Sequence, residues 1–242
     1  MNADKVKRSF AYRIKRLHNK WRAHNYRSFS QSGEDMIVRF VLEQFGIDKP
    51  TYLDIGAYHP TRFSNTAYFY AAGSRGINVE PNPLLFQAFL RHRRNDINLN
   101  VGVGRSSGET DFYVMAPDTL STFERETAEE LARLPGHRLQ SVVQVKVLSL
   151  PDLIARHYAL RPPDFLTLDA EGLDINILQS VDFVAWAPLV ICCETLSYAP
   201  NNEGVKNQPL IRFLESVGYT LMADTWINSI FVLKSKWQRN SQ

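Results

Sequence analysis

Cysteine is nearly absent from this chain: Cys192 and Cys193 are the only two in 242 residues. They are adjacent within the apolar run over residues 189–193, and neighbouring strand residues point to opposite faces, which argues against a disulfide or a shared metal between them. They read as core thiols of a reducing compartment. No apolar stretch approaches the roughly 20 residues that span a bilayer, and no hydrophobic segment follows the basic N-terminus to make a signal peptide. A cytoplasmic body is therefore expected. Net charge is small too, at +3, but the total hides an asymmetry. Residues 1–30 hold nine Lys or Arg against one acid, a charge of +8, which leaves the remainder at −5. A mildly acidic body gives no footprint for nucleic acid, and none is expected as a partner.

The basic segment places Val6, Phe10, Ile14, Leu17 and Trp21 on one helical stripe. Two readings stand side by side: a helix packed on its own domain or on a second copy of the chain, and a helix lying at the inner face of an anionic membrane. The expected organisation is thus an arm over residues 1–27 and a catalytic body over 28–242, with an insertion at about 105–148.

In the body, the run Thr-Tyr-Leu-Asp-Ile-Gly-Ala over residues 51–57 ends an apolar strand in Asp54 and Gly56. A buried strand of a parallel sheet delivers a carboxylate and a close-approaching backbone to its carboxyl edge in this way. A second strand over 76–79 ends in Glu80, and an acid at that tip commonly holds the ribose hydroxyls of an adenosine-type cofactor. Further strands are expected over 52–55, 97–103, 165–168 and 189–193, with helices over 36–45, 64–72, 83–93, 151–158, 173–181 and 206–217. That alternation means a parallel sheet covered on both faces. The insertion is expected to hold strands over 108–115 and 142–147 and a helix over 124–133, as a lid or as a peripheral hairpin. The last two strands, 219–223 and 229–234, are too close for a parallel crossover and must form an antiparallel hairpin.

Seven segments in order resemble the FkbM family of S-adenosylmethionine-dependent methyltransferases: SQSGED (30–35), LDIGAYHPTRFSNTAYFY (53–70), GINVEPNP (76–83), INLNVGVG (97–104), LSTF (120–123), DFLTLDAEGLDINIL (164–178) and VICCET (190–195). The resemblance implies an α/β, Rossmann-like three-layer sandwich of the class I methyltransferase type, its mostly parallel sheet ending in the antiparallel hairpin. It implies S-adenosyl-L-methionine as cofactor, with Asp54, Gly56 and Ala57 in the first cofactor loop and Glu80 on the ribose. Asn82 would border the adenosine, and Asn100 and Gly102 would lie near the adenine. Gln31 and Asn65 complete the implied cofactor set, and Asp169 would face the cofactor's cationic end and the acceptor. The loop DIGAYHP lacks the later glycines of a G-x-G-x-x-G fingerprint, which counts against a pyrophosphate cradle and so against NAD.

Asp169, His59 and Glu171 are the candidate catalytic residues, each with a second reading. His59 is either the base for an alcohol acceptor or a loop histidine bonded to backbone beside Pro60. Asp169 is either at the ligand edge or a helix cap that Asp174 or Gly172 would contest. Glu171 either joins the site or serves the helix dipole. No metal is assigned, although Asp169, Glu171 and Glu194 are oxygen ligands of the type hard cations prefer. The expected activity is O-methylation of a small-molecule or glycan hydroxyl on a sugar, polysaccharide or secondary metabolite. The competing classes are a nicotinamide-dependent oxidoreductase and a non-catalytic cofactor-binding module recruited to a membrane assembly.

Overall fold

The computed structural model describes residues 27–170, 172–196 and 204–238. The amphipathic stripe of the arm and Glu171 lie outside the described residues. The body begins at helix α1 (Glu34–Gln44), followed by β1 (Tyr52–Ile55), α2 (Ala67–Ala71), β2 (Gly76–Val79), α3 (Pro83–His92) and β3 (Ile97–Leu99). Next come β4 (Gly102–Gly104) and, in the inserted region, β5 (Gly108–Ala116), α4 (Arg125–Leu131) and β6 (Arg138–Ser149). The alternation resumes with α5 (Leu150–His157), β7 (Phe165–Leu168), α6 (Asp174–Leu178), β8 (Val190–Glu194) and α7 (Gln208–Ser216). It closes with β9 (Tyr219–Asp224), β10 (Asn228–Leu233) and α8 (Lys234–Trp237).

Seven strands form the main sheet in the order β3-β2-β1-β7-β8-β10-β9. Pairs up to β8 are parallel, and β10 runs antiparallel between β8 and β9. The hairpin is thus inserted so that its second strand lies inside the sheet, the arrangement of class I methyltransferases. Every residue of β1 and β7 is buried, and alternate residues feed separate cores. Leu53, Ile55, Leu166, Leu168, Ile191 and Cys193 join the layer under α5, α6 and α7. Tyr52, Phe165, Val190 and Cys192 join the layer under α1 and Phe69. The adjacent cysteines therefore face opposite layers, as period-2 geometry requires.

Two departures from the sequence expectation reshape the region beside the site. The strand expected over 97–103 breaks after Leu99, where Asn100 turns its Nδ2 to the carbonyls of Glu80 (2.8 Å) and Pro81 (3.0 Å). The continuation, β4, leaves the main sheet and pairs with β6 in a second sheet of order β4-β6-β5. The insertion is also more regular than expected, because β5 and β6 pair as a long antiparallel ribbon from Gly108 to Arg138 with one register shift near Met115.

The SGED segment is a structural clasp. Asp35, fully buried, accepts from Ser28 Oγ (2.7 Å), Phe29 N (2.8 Å) and Ser30 Oγ (2.9 Å). Glu34 Oε1 accepts from Thr225 Oγ1 (2.7 Å) and Asn228 Nδ2 (3.0 Å), tying α1 to the β9–β10 hairpin. Burial acts to raise the Glu34 carboxyl, but these bonds and the Ser32 N–H outweigh it and hold it below its ordinary value. Asp35→Ala leaves three donors without their acceptor, so a loss on the order of 2 kcal/mol is expected. An unchanged urea midpoint would show that the clasp carries no stability.

Candidate functional site

At the carboxyl edge of β1, β2, β7 and β8 lies a cavity of about 1180 Å³, walled by strand tips, the β9–β10 turn and the inserted region. This is above the ~300–1,000 Å³ typical of small-molecule sites. The tips of β1 and β7 meet at its floor. Gly56 has φ +74°, and a Cβ there would stand 1.9 Å from the Asp169 carbonyl oxygen, so only glycine lets the two loops approach. Gly56 N and Ala57 N both donate to Val79 O at 3.0 Å, and Asp169 N donates to Ile55 O at 3.0 Å, which locks the three loops together.

Glu80 is 4% exposed at the tip of β2. One carboxyl oxygen accepts from Tyr58 N (2.8 Å) and the other from Asn82 N (2.7 Å). A carboxylate has about four lone-pair sites, so acceptor capacity remains toward the cavity. Asn82 also caps α3 by accepting from Leu84 N. Asp54 accepts from Thr66 Oγ1 at 2.6 Å. Asn65 Nδ2 donates to Thr167 Oγ1 at 2.9 Å and, like Gln31, faces the cavity. Asp174 accepts from Ala170 N (3.1 Å) and Gly172 N (3.3 Å), so it secures the loop after β7. Leu173 occupies the N-cap of α6 without a side-chain bond, and Asp169 is on the cavity wall.

The remaining candidates are placed elsewhere. His59 Nδ1 accepts from Thr61 N (3.1 Å) and Arg62 N (3.0 Å), and the ring is not among the cavity-lining groups. Burial, with the nearby Arg62 charge, holds this imidazole below its ordinary pKa. It secures its own loop, so of the two readings of His59 the backbone-bonded one matches the geometry. Asn100 braces the Glu80–Pro81 backbone from behind, and Gly102 sits against the Phe123 ring; neither lines the cavity.

Three aromatic side chains of the wall sit on an unusual backbone. Tyr58, Phe63 and Trp226 have φ of 53°, 54° and 75°, a region costly to non-glycine residues. The Tyr58 and Phe63 rings stack at 6.2 Å, with the Arg62 guanidinium over both. Tyr58 Oη donates to Asp118 Oδ1 at 3.0 Å, bridging from the main domain to the insertion. Nothing in their spacing announces a left-handed backbone, and Asp118 belongs to a region whose pairing only the folded chain shows.

Among the described residues, the wall carries eight carboxyl groups and no Lys, Arg or His. Burial pushes Asp54 up to about 6 against the opposing pull of Thr66 and Arg93. It pushes Glu80 up to about 8, and burial together with the Asp169 charge pushes Asp174 up to about 7.

A family model described as the methyltransferase FkbM domain matches residues 54–221, from the first strand tip to β9. The chain belongs to the FkbM methyltransferase family. No curated protein matches the sequence. Among solved structures it is similar to a methyltransferase FkbM from Methylobacillus flagellatus KT at 15% identity and TM-score 0.46, covering 76% of this chain and 44% of that one. The chain thus spans less than half the length of that protein. It is also similar to the O-methyltransferase from Bacillus cereus in complex with SAH (12% identity, TM-score 0.41, 89% and 87% covered). A third likeness is to the Burkholderia thailandensis 1,6-didemethyltoxoflavin-N1-methyltransferase with bound 1,6-didemethyltoxoflavin and S-adenosylhomocysteine (10% identity, TM-score 0.40, 95% and 86% covered).

The raised carboxyls of this FkbM site carry a pH consequence. An acid whose folded pKa lies above its unfolded value makes the native state bind more protons, so stability falls as pH rises across that interval. The ligand-free protein is therefore expected to melt at lower temperature at pH 8 than at pH 5.5. Glu80→Gln should flatten the slope by removing the group with the widest interval. A slope equally steep in Glu80→Gln would exclude Glu80 as its source.

Proposed function

We propose that the protein is an S-adenosylmethionine-dependent O-methyltransferase acting on an uncharged hydroxyl compound, a sugar, polysaccharide or secondary metabolite. The observation that carries this reading is Glu80, a buried carboxyl on the cavity wall fixed by two backbone N–H groups and with acceptor capacity left over. In its ionised form, which a cationic ligand beside it favours, such a group accepts from the vicinal hydroxyls of a ribose. Asp54, Gly56, Ala57, Asn65 and Gln31 would hold the methionine portion, and Asn82 would border the adenosine. Bound S-adenosylmethionine supplies an electrophilic methyl group on a cationic sulfur.

The acidic wall favours a cation and disfavours ligand phosphates. That supports a sulfonium cofactor over a nicotinamide dinucleotide, and a neutral acceptor over a phosphorylated one. Asp169, on the wall at the tip of β7, would accept the proton of the acceptor hydroxyl, and the cavity would hold the two reactants together. The inserted region, through Asp118, Phe123 and Glu124, contributes the far wall and so the acceptor specificity. The arm would add contact with an anionic membrane or a second copy of the chain.

Glu80→Ala removes charge-assisted contacts worth about 1.5–3 kcal/mol, so calorimetry should show S-adenosylhomocysteine binding at least ten-fold weaker. Equal affinity in a folded variant would reject Glu80 as the ribose ligand, and NAD binding in preference to S-adenosylmethionine would reject the reaction class. Asp169→Asn keeps the shape and deletes the base. Its methyl-transfer rate to neutral glycosides should fall on the order of 10²-fold or more, with melting temperature nearly unchanged. Full activity in Asp169→Asn would assign the proton acceptor elsewhere.

A further inference from the structure

Behind the cavity, in contact with no ligand-facing surface, lies a buried cation. Arg93 follows α3, is 1% exposed, and is absent from the cavity wall. Its Nε donates to Asp96 Oδ2 at 2.9 Å, an ion pair buried on both sides. That pair alone would satisfy the charge, yet the guanidinium reaches further. Nη1 donates to the Pro60 carbonyl (3.0 Å), and Nη2 donates to Thr66 Oγ1 (2.7 Å), with Tyr52 Oη and Asn78 Oδ1 at 3.1 and 3.2 Å. The rings of Tyr70 and Tyr52 cover it at 4.6 and 5.6 Å.

The direction of the relay follows from the donor inventory. A guanidinium can only donate, so Thr66 Oγ1 must accept from Arg93, and its single proton is directed to Asp54 Oδ2 at 2.6 Å. A hydroxyl polarised by a cation on one side is a stronger donor on the other. The same guanidinium holds the Pro60 carbonyl, in the middle of the loop that carries Gly56, Ala57 and Asn65. One side chain thereby fixes both the strand-tip carboxylate and the loop that follows it.

We propose that Arg93 is a positioning residue for the cofactor pocket, acting on Asp54 through the Thr66 hydroxyl and on the loop over residues 56–65 through the Pro60 carbonyl. This rests on the reading of Asp54 and its loop as cofactor ligands. Neither Arg93 nor Thr66 touches the ligand; both set the geometry and charge of groups that do.

The test is a double-mutant cycle on S-adenosylhomocysteine affinity, read by calorimetry on folded protein. Thr66→Val removes the relay hydroxyl and is expected to weaken binding about ten-fold, the cost of a charge-assisted hydrogen bond. Thr66→Ser restores the hydroxyl and should bind within about two-fold of wild type. In an Asp54→Asn background, Thr66→Val should add less than about two-fold, because the group it acts through is already gone. Arg93→Lys keeps the charge beside Asp96 but lacks the fork to reach Thr66 and Pro60 together, and should also weaken binding; it carries the comparison if Thr66→Val does not fold. Wild-type affinity in Thr66→Val, an equal penalty in both backgrounds, or a Thr66→Ser protein as weak as Thr66→Val would overturn the relay. Wild-type protein that binds no S-adenosylhomocysteine would overturn the cofactor reading and this inference with it.

Discussion

Three carboxyl groups, Asp54, Glu80 and Asp174, are buried in one corner of the sheet edge, and no lysine or arginine faces them across the cavity among the described residues. Burying charge without a counterion is costly, and proteins meet that cost by hydrogen bonds, by proton uptake or by a partner. All three appear here. Backbone N–H groups hold Glu80 and Asp174, burial raises all three carboxyls toward neutrality, and the guanidinium of Arg93 stands one hydroxyl behind Asp54. The geometry of the loops follows from this constraint, since Tyr58, Asn82, Ala170 and Gly172 must present their N–H groups inward.

That presentation has a backbone cost. Tyr58 takes a left-handed conformation to aim its N–H at Glu80, and its ring then reaches Asp118 on the insertion. Strain of this type costs about 1–3 kcal/mol per residue and persists only where surrounding contacts over-determine it. The stacked Phe63 and the Arg62 guanidinium supply such contacts. The domain therefore ties its sheet edge to the inserted region through one residue, Tyr58, with the Glu80 carboxyl at one end and Asp118 at the other.

The acidic wall also connects binding to protons. A cation entering the cavity favours the charged carboxylates that burial disfavours, so binding of a cation there and proton release are thermodynamically linked. No helix among the described residues is long and apolar enough to cross a membrane.

The sequence by itself determined the sheet and two of its acids. Short, mostly apolar runs that lead into Asp54–Gly56 and into Glu80 read as buried strands delivering carboxyls to one edge, and β1 and β2 are such strands. The short link between β9 and β10 likewise dictated an antiparallel hairpin. Tertiary structure alone decided the rest of the site. Arg91, Arg93 and Arg94 are alike in a basic helix end, yet only Arg93 is buried, because the turn after α3 brings it under Tyr52, Thr66 and Pro60 from distant parts of the chain. His59 looked equally able to be a base, and only the positions of the Thr61 and Arg62 N–H groups show its Nδ1 engaged with the backbone. Spacing along a chain reports which residues share a strand or a face; it carries no record of which donors converge on a carboxylate, and here that convergence makes the site.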